Sequence, residues 1–141
     1  MTVQIRQFEA RDEDAVVQLW QDCGLVVPWN SSHRDIQRKS RVQAEMFLVA
    51  CSAGRIVATV MAGYDGHRGW INYLAVHPEH RRRGLGRRMV SEAESRLRAA
   101  GCPKINLQVR RANAAAMAFY RRIGFKEDHV VSFGKRLEPD D

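Results

Sequence analysis

Five arginines, Arg81, Arg82, Arg83, Arg87 and Arg88, fall within eight residues, and two glycines, Gly84 and Gly86, sit among them. That composition suits anion binding where a loop opens a helix. The first helical turn leaves backbone N–H groups unpaired and carries partial positive charge. Glycine there has no Cβ to hold an anion away from those amides, and arginine adds charge-assisted hydrogen bonds. Two other phosphate motifs do not fit. A dinucleotide fingerprint requires glycine where Met89 stands, and a P-loop requires Gly-Lys-Ser/Thr, which is absent. On the loop alone, a helix that merely starts at a glycine turn remains a competing reading.

Asn113 and Tyr120 are the other residues of interest, on a second amphipathic stretch. Asn113 is placed to cap that helix, and Tyr120 reads from spacing as an aromatic on its buried face. The three cysteines, Cys23, Cys51 and Cys102, are odd in number and widely spaced. They form neither a disulfide framework nor a close-paired metal set, so no metal site is expected; each reads as a small buried apolar residue.

The elements that would position these groups follow from periodicity and turn chemistry. Residues 3–8 alternate as a strand. Asp12 is placed to cap a helix to about residue 22, with Ala15, Val16, Leu19 and Trp20 inward and Gly24 as its stop. Ser31 or Ser32 caps a second helix to about residue 44. Residues 47–51 and 55–62 form a hairpin across Ser52, Ala53 and Gly54. A strand at 70–76 ends before Pro78. A helix starts at Leu85 or Gly86 with Met89, Val90, Ala93, Leu97 and Ala100 buried, and Gly101 and Pro103 end it. A strand at 104–109 follows, then a helix after Asn113 with Ala116, Met117, Tyr120 and Ile123 inward, ended by Gly124. Residues 130–137 close the chain as a strand. The order is that of an α/β fold with a mixed sheet, because adjacent hairpins are antiparallel.

The length of 141 residues suits a single domain over 1–141. The apolar share of 45% is that of a globular chain. No run approaches the roughly 18 apolar residues of a membrane span, and the N-terminus has no apolar leader core, so no membrane partner and a cytoplasmic location are expected. The net charge of +7 favours an anionic partner. Nucleic acid is not expected: interleaved aromatics and a recognition-helix signature are both missing.

Taken together, these motifs resemble a known family. Arg81-x-x-Gly84-x-Gly86 matches the (Gln/Arg)-x-x-Gly-x-(Gly/Ala) signature of the GNAT acetyltransferases, and Leu74, Ala75, Val76, His77, Pro78 and Glu79 look like the strand that leads into it. Asn113, the Phe119-Tyr120 pair and Gly124-Phe125 resemble the family's second signature. The resemblance spans essentially the whole chain. The stretch from Tyr64 to Gly69 and Pro28-Trp29-Asn30 also look like a bacterial subgroup, the YpeA-type proteins.

The resemblance implies a single domain with a mostly antiparallel mixed sheet, helices on both faces, and splayed fourth and fifth strands. It implies acetyl-CoA as acetyl donor, its pantetheine arm along the backbone of Leu74, Ala75 and Val76. The diphosphate would rest on Arg82, Arg83, Gly84, Leu85, Gly86 and Arg87. Asn113 would meet the pantetheine, and Arg81 would orient the loop. Tyr120 would stand near the cofactor sulfur as a neutral proton donor to a thiolate of pKa about 8.5. The implied reaction is direct transfer to a small-molecule or peptide amine, with fourth-strand amides at the oxyanion. The strands expected to be fourth and fifth carry no carboxylate, and Gln108 stands where a relative may place glutamate. Asp65, His67, His33 or a water chain remain as the base. Arg34, Arg38, Lys39 and Arg41 against Asp35 and Glu45 give the second helix region a net +2, which suggests an anionic group on the acceptor, and Trp29 could wall that pocket. A cofactor-binding sensor without strong catalysis is the alternative function, and a homodimer is left open.

Overall fold

Near-continuous apolar runs in the middle of the chain, buried on both faces, build the sheet around which everything else packs. The computed structural model describes residues 2–140. Strands β2 (Phe47–Ser52) and β3 (Arg55–Tyr64) form an antiparallel hairpin. Its two turn residues, Ala53 and Gly54, are both left-handed (φ 51° and 77°), the backbone that matches the twist of a tight hairpin. Strand β1 (Gln4–Gln7) joins the outer edge of β2, and β4 (Gly69–Val76) pairs antiparallel with β3. The short β5 (Ile105–Asn106) pairs parallel with β4 and completes the order β1-β2-β3-β4-β5. This is the expected mixed, mostly antiparallel α/β sheet.

Because side chains alternate along a strand, the sheet buries two cores. On one face, α1 (Glu13–Asp22) and α2 (Ser32–Lys39) cover Val16, Trp20, Ile36, Phe47, Val49 and Met61. On the other, α3 (Leu85–Ala99) buries Met89, Val90, Ala93 and Leu97 against Leu48, Val60 and Ile71. Helix α4 (Ala114–Arg122) adds Phe119 and Tyr120 to that second core. Glycine stops act as expected. Gly24, Gly101 and Gly124 have positive φ, and the residue after each bonds back to the helix, as Leu25 N–H does to the Trp20 carbonyl at 2.9 Å.

Several expectations need correction. Asp12 does not cap α1 with its side chain. Its carboxylate turns back to Arg6 (2.7 and 3.0 Å) and accepts from the Glu9 N–H at 2.8 Å, so it ties a short 3-10 turn (Ala10–Asp12) to β1. Val17, not Ala15, is buried, and Ala100 is exposed. Helix α2 ends at Lys39, whose ammonium donates to the Ala62 carbonyl within the protein and so leaves the polar surface pattern. The expected strand at 104–109 shortens to two residues. The expected strand at 130–137 does not form, and Val130, Val131, Phe133 and Leu137 are exposed.

Candidate active site

The site is assembled where β4 changes phase. Asn72 is in register with Met61 and Ala75 with Thr59, so Tyr73 and Leu74 together oppose Val60 across a β-bulge. Tyr73 takes a left-handed φ of 52°, uncommon for a bulky residue. The extra residue flips the alternation. Ile71 points to the α3 core, but Tyr73 and Ala75 point to the α1 core, and Leu74 and Val76 face α3 and α4. A buried relay holds the bulge. Trp20 Nε1 donates to Thr59 Oγ1 (2.9 Å), and Thr59 Oγ1 donates to the Tyr73 carbonyl (2.8 Å). The Tyr73 ring stacks on Trp20 at 3.8 Å between centroids.

Beyond the bulge the fourth and fifth strands part. β5 meets β4 only at Gly69↔Ile105 and Trp70↔Asn106, so residues 71–76 have no strand partner on that side. Leu74, Ala75 and Val76 therefore offer one edge of backbone to an extended arm.

The arginine-glycine loop follows directly. Arg81 Nε donates to the Val76 carbonyl at 3.0 Å and turns the chain out of β4, the orienting role expected of it. Arg82 (φ 65°) and Gly84 (φ 75°) both take left-handed backbone, a pattern that makes anion-binding concavities. Arg88 N–H bonds to the Gly84 carbonyl (3.0 Å), which leaves the N–H groups of Leu85, Gly86 and Arg87 without intrahelical acceptors. The first turn of α3 holds no acid, and Arg82, Arg83 and Arg87 are exposed. Leu85 is buried, so any part it plays is through its backbone.

The two glycines serve different ends. A Cβ on Gly84 would meet nothing within 4 Å, consistent with an open cradle above the amides. A Cβ on Gly86 would meet Phe119 Cζ at 3.3 Å and Val76 Cγ2 at 3.7 Å. The absence of a side chain at Gly86 thus lets α3, α4 and the end of β4 converge, rather than clearing space for an anion as the sequence suggested.

On α4, Asn113 Oδ1 accepts from the Ala116 N–H (3.1 Å), the expected cap. Tyr120 packs edge-on against Phe119 and Phe125 (5.1 and 5.5 Å between centroids), and its hydroxyl has no protein partner among the described residues. Burial pushes its phenol up to about 12.

The candidates for base fare differently. Asp65 accepts from the N–H groups of His67 and Arg68 (2.8 and 2.7 Å) and shapes the exposed β3–β4 turn. These backbone donors hold its carboxyl below the usual range. That turn lies at the far end of β4 from the arginine-glycine loop, and β4 begins at Gly69, four residues or about 13 Å before the bulge at Tyr73, so Asp65 and His67, held in the turn, lie away from the bulge. His33 is bound to Glu13 across the α1–α2 surface at 2.6 Å. Sequence reasoning missed Asp35. Its Oδ2 accepts from Tyr73 Oη (2.7 Å) and Asn30 Nδ2 (2.5 Å), and its Oδ1 from Arg38 (3.0 Å). Its side chain is 22% exposed, on the α1–α2 side of the bulge. Only the tertiary fold brings residues 35 and 73 together.

The basic surplus on α2 is partly spent. Arg38 pairs with Asp35 and Asp140, and Lys39 is buried, which weakens the expectation of an anionic acceptor group. Trp29 is exposed, with Arg110 over its ring at 5.5 Å. The cysteines are free and half-buried, less enclosed than expected. No group of residues suited to a metal occurs among the described residues. No helix is long and apolar enough to cross a membrane. A cleft of about 790 Å³ beside β1 and α1 contains neither Gly84 nor Tyr120.

The chain is 45% identical to an acetyltransferase of Sodalis glossinidius (strain morsitans) over 139 residues, 98% of each chain. Its fold matches the ribosomal-protein-S18-alanine N-acetyltransferase of Escherichia coli with a TM-score of 0.75 at 26% identity, covering 90% of this chain and 79% of that one. It also matches the PaiA N-acetyltransferase of Thermoplasma acidophilum, a structure in complex with coenzyme A, at TM-score 0.74 and 17% identity, covering 93% and 94%. The model of the acetyltransferase (GNAT) family matches residues 13–125. With both signatures converging at Gly86, the chain belongs to that family.

Proposed function

We propose that this acetyltransferase moves an acetyl group from acetyl-CoA directly to an amine of a small molecule or peptide. One observation carries the reading. Gly86 is the point where the phosphate loop, the unpaired end of β4 and the tyrosine helix come within van der Waals reach. When bound, acetyl-CoA supplies the activated thioester. The open cradle at Gly84 and the three free amides of Leu85, Gly86 and Arg87 fit its diphosphate, with Arg82 and Arg83 adding charge. The edge of Leu74, Ala75 and Val76 fits the amide-bearing arm, and Asn113 stands at the start of α4 beside it.

Tyr120 holds a proton at all working pH values and offers it from an unpartnered hydroxyl. The bulge sets β4 amides out of the β3 register, where they can donate to a developing oxyanion. On the α2 side, Asp35 presents a carboxylate, steadied by Tyr73, Asn30 and Arg38, that draws in an acceptor ammonium, which gives its proton to solvent water before the neutral amine attacks the thioester carbonyl. No cysteine is needed as nucleophile. Resemblance to the YpeA-type subgroup belongs to this proposal and rests on Pro28, Trp29, Asn30 and the Tyr64–Gly69 stretch.

The test is release of CoA thiol from acetyl-CoA against a panel of amines, peptide N-termini and amino-acid analogues. Turnover with at least one amine, together with calorimetric binding of acetyl-CoA, supports the reading. Well-folded protein that gives no binding heat with acetyl-CoA overturns it. Binding without turnover across the panel would instead favour a cofactor sensor.

A further inference from the structure

Four of the seven large apolar side chains exposed among the described residues lie within eight positions: Val130 (77% exposed), Val131, Phe133 (93%) and Leu137. The other three, Val26, Trp29 and Val42, are scattered, which is ordinary for a soluble protein. Clustering of this kind on one segment marks an interaction surface. Residues 130–136 are neither helical nor bent, and no backbone hydrogen bond ties them to the rest of the chain among the described residues.

The segment lies along the free edge of the sheet. Lys104 bonds to Asp128 (2.8 Å) and Gln108 to Ser132. Both partners advance by four residues, so the segment runs parallel to the β5 stretch, held by side chains rather than by a ladder. It is rich in β-branched and aromatic residues, and its backbone donors and acceptors are unspent. Such an edge is a template for another strand.

We propose that residues 128–136 pair antiparallel with the same residues of a second copy, which makes the protein a twofold dimer through its C-terminal segment. The segment is complementary to itself. With Ser132 on the twofold axis, Asp128 faces Arg136 of the other copy, and Val131 faces Phe133. Both contacts occur twice, as an isologous interface requires. Asp128 and Arg136 are each 44% exposed; within the chain Asp128 bonds to Lys104, and Arg136 bonds to Asn30 and pairs with Asp140 at 3.7 Å, contacts that the pairing across the axis would share. Val131, Phe133 and Leu137 share one face of an extended strand, so the apolar pairs from both copies cluster. Val131 and Phe133 meet across the axis at the centre of this face, Leu137 lies just beyond the paired residues, and Val130 points to the opposite face.

The test needs only the whole chain and is independent of the acetyl-transfer reading. Sedimentation at 50 µM is expected to give a dimer of the 16.1 kDa chain. Phe133→Asp is expected to give monomer, with dimer dissociation weakened at least 100-fold. Val131→Ser, a milder change, is expected to weaken it about tenfold; a cooperative unfolding transition and a wild-type circular dichroism spectrum in the monomeric variant separate lost pairing from lost folding, while its Tm loses the concentration dependence of the wild type. Ser132→Cys is expected to form a disulfide-linked dimer under mild oxidation well above the wild-type background, because Cα atoms facing across an antiparallel pair lie about 4.5–5.5 Å apart, within disulfide range. A wild-type monomer at 50 µM, or a Phe133→Asp dimer as tight as wild type, overturns the proposal. So does a monomer whose amides at 130–136 are protected from exchange, since the segment would then have closed on its own β5.

Discussion

Replacing Tyr120 by phenylalanine removes one oxygen and separates catalysis from architecture. The hydroxyl makes no hydrogen bond to protein among the described residues, and the ring keeps its contacts with Phe119 and Phe125. Stability should therefore change by less than about 0.5 kcal/mol, or about 2 °C in Tm for a chain of this size. The catalytic loss can be bounded from the phenol itself. With its pKa pushed up to about 12, full proton transfer to a thiolate of about 8.5 is uphill by about 5 kcal/mol. In the proposed role Tyr120 would therefore act by a hydrogen bond that strengthens as charge grows on the leaving group, rather than by early proton release. A loss of 10- to 100-fold in kcat, about 1.4–2.7 kcal/mol, is expected, at or below the low end of general-acid effects. The assay is thiol release with the most productive panel amine, alongside calorimetry of CoA, whose Kd should move less than threefold. The phenol also stays protonated through pH 10, so activity in that range should have no limb that disappears in the variant. Unchanged kcat refutes the assignment. A tenfold weaker Kd at constant kcat would make Tyr120 a binding residue instead.

Gly84→Ala is expected to lower Tm by about 3–6 °C, because a left-handed φ costs an L-residue roughly 1–2 kcal/mol, and Gly84→Glu to abolish heat from acetyl-CoA. Gly86→Ala gains helix propensity of about 1 kcal/mol but pushes Phe119, so Tm should barely move while kcat falls severalfold as neighbouring Tyr120 shifts. Asp35→Asn should lower kcat/KM at least tenfold at pH 7 with the CoA Kd unchanged; an effect on Tm alone would make Asp35 purely structural. Asp12→Asn should cost about 2 kcal/mol and roughly 4–8 °C in thermal melts, through loss of a charged pair with Arg6 in a mostly buried setting. The Arg6 side chain holds the Asp12 carboxyl below its ordinary value. Its stabilisation is therefore present above about pH 4 and drains away as acid protonates the folded form; the variant's Tm should converge on wild type below that pH.

Much of the fold was readable because it is written locally. Helix stops at Gly24, Gly101 and Gly124, the Asn113 cap and the Ala53-Gly54 turn each depend on backbone angles and partners within about five residues. The loop geometry at Gly84 was readable for the same reason, since free amides and left-handed glycine arise wherever such a loop opens a helix. Side-chain spacing also gave the stripe of α3 at Met89, Val90, Ala93 and Leu97. Local signals failed where a competing partner was distant. Asp12 was read as a cap but prefers Arg6 on β1, and Lys39 left the polar face of α2 for the Ala62 carbonyl.

What sequence alone settled was the pair of signatures and the elements carrying them, because hydrogen-bond geometry and periodicity act over one or two turns. The bulge at Tyr73, the carboxylate of Asp35 set against it and the reason for Gly86 belong to the tertiary structure. Residues 35 and 73, or 86 and 119, meet only when sheet and helices pack, and no pattern along the chain records which faces will touch. The exposed stretch at 130–137 is the converse case: strand propensity is present in the sequence, but a strand exists only where another edge supplies its hydrogen bonds.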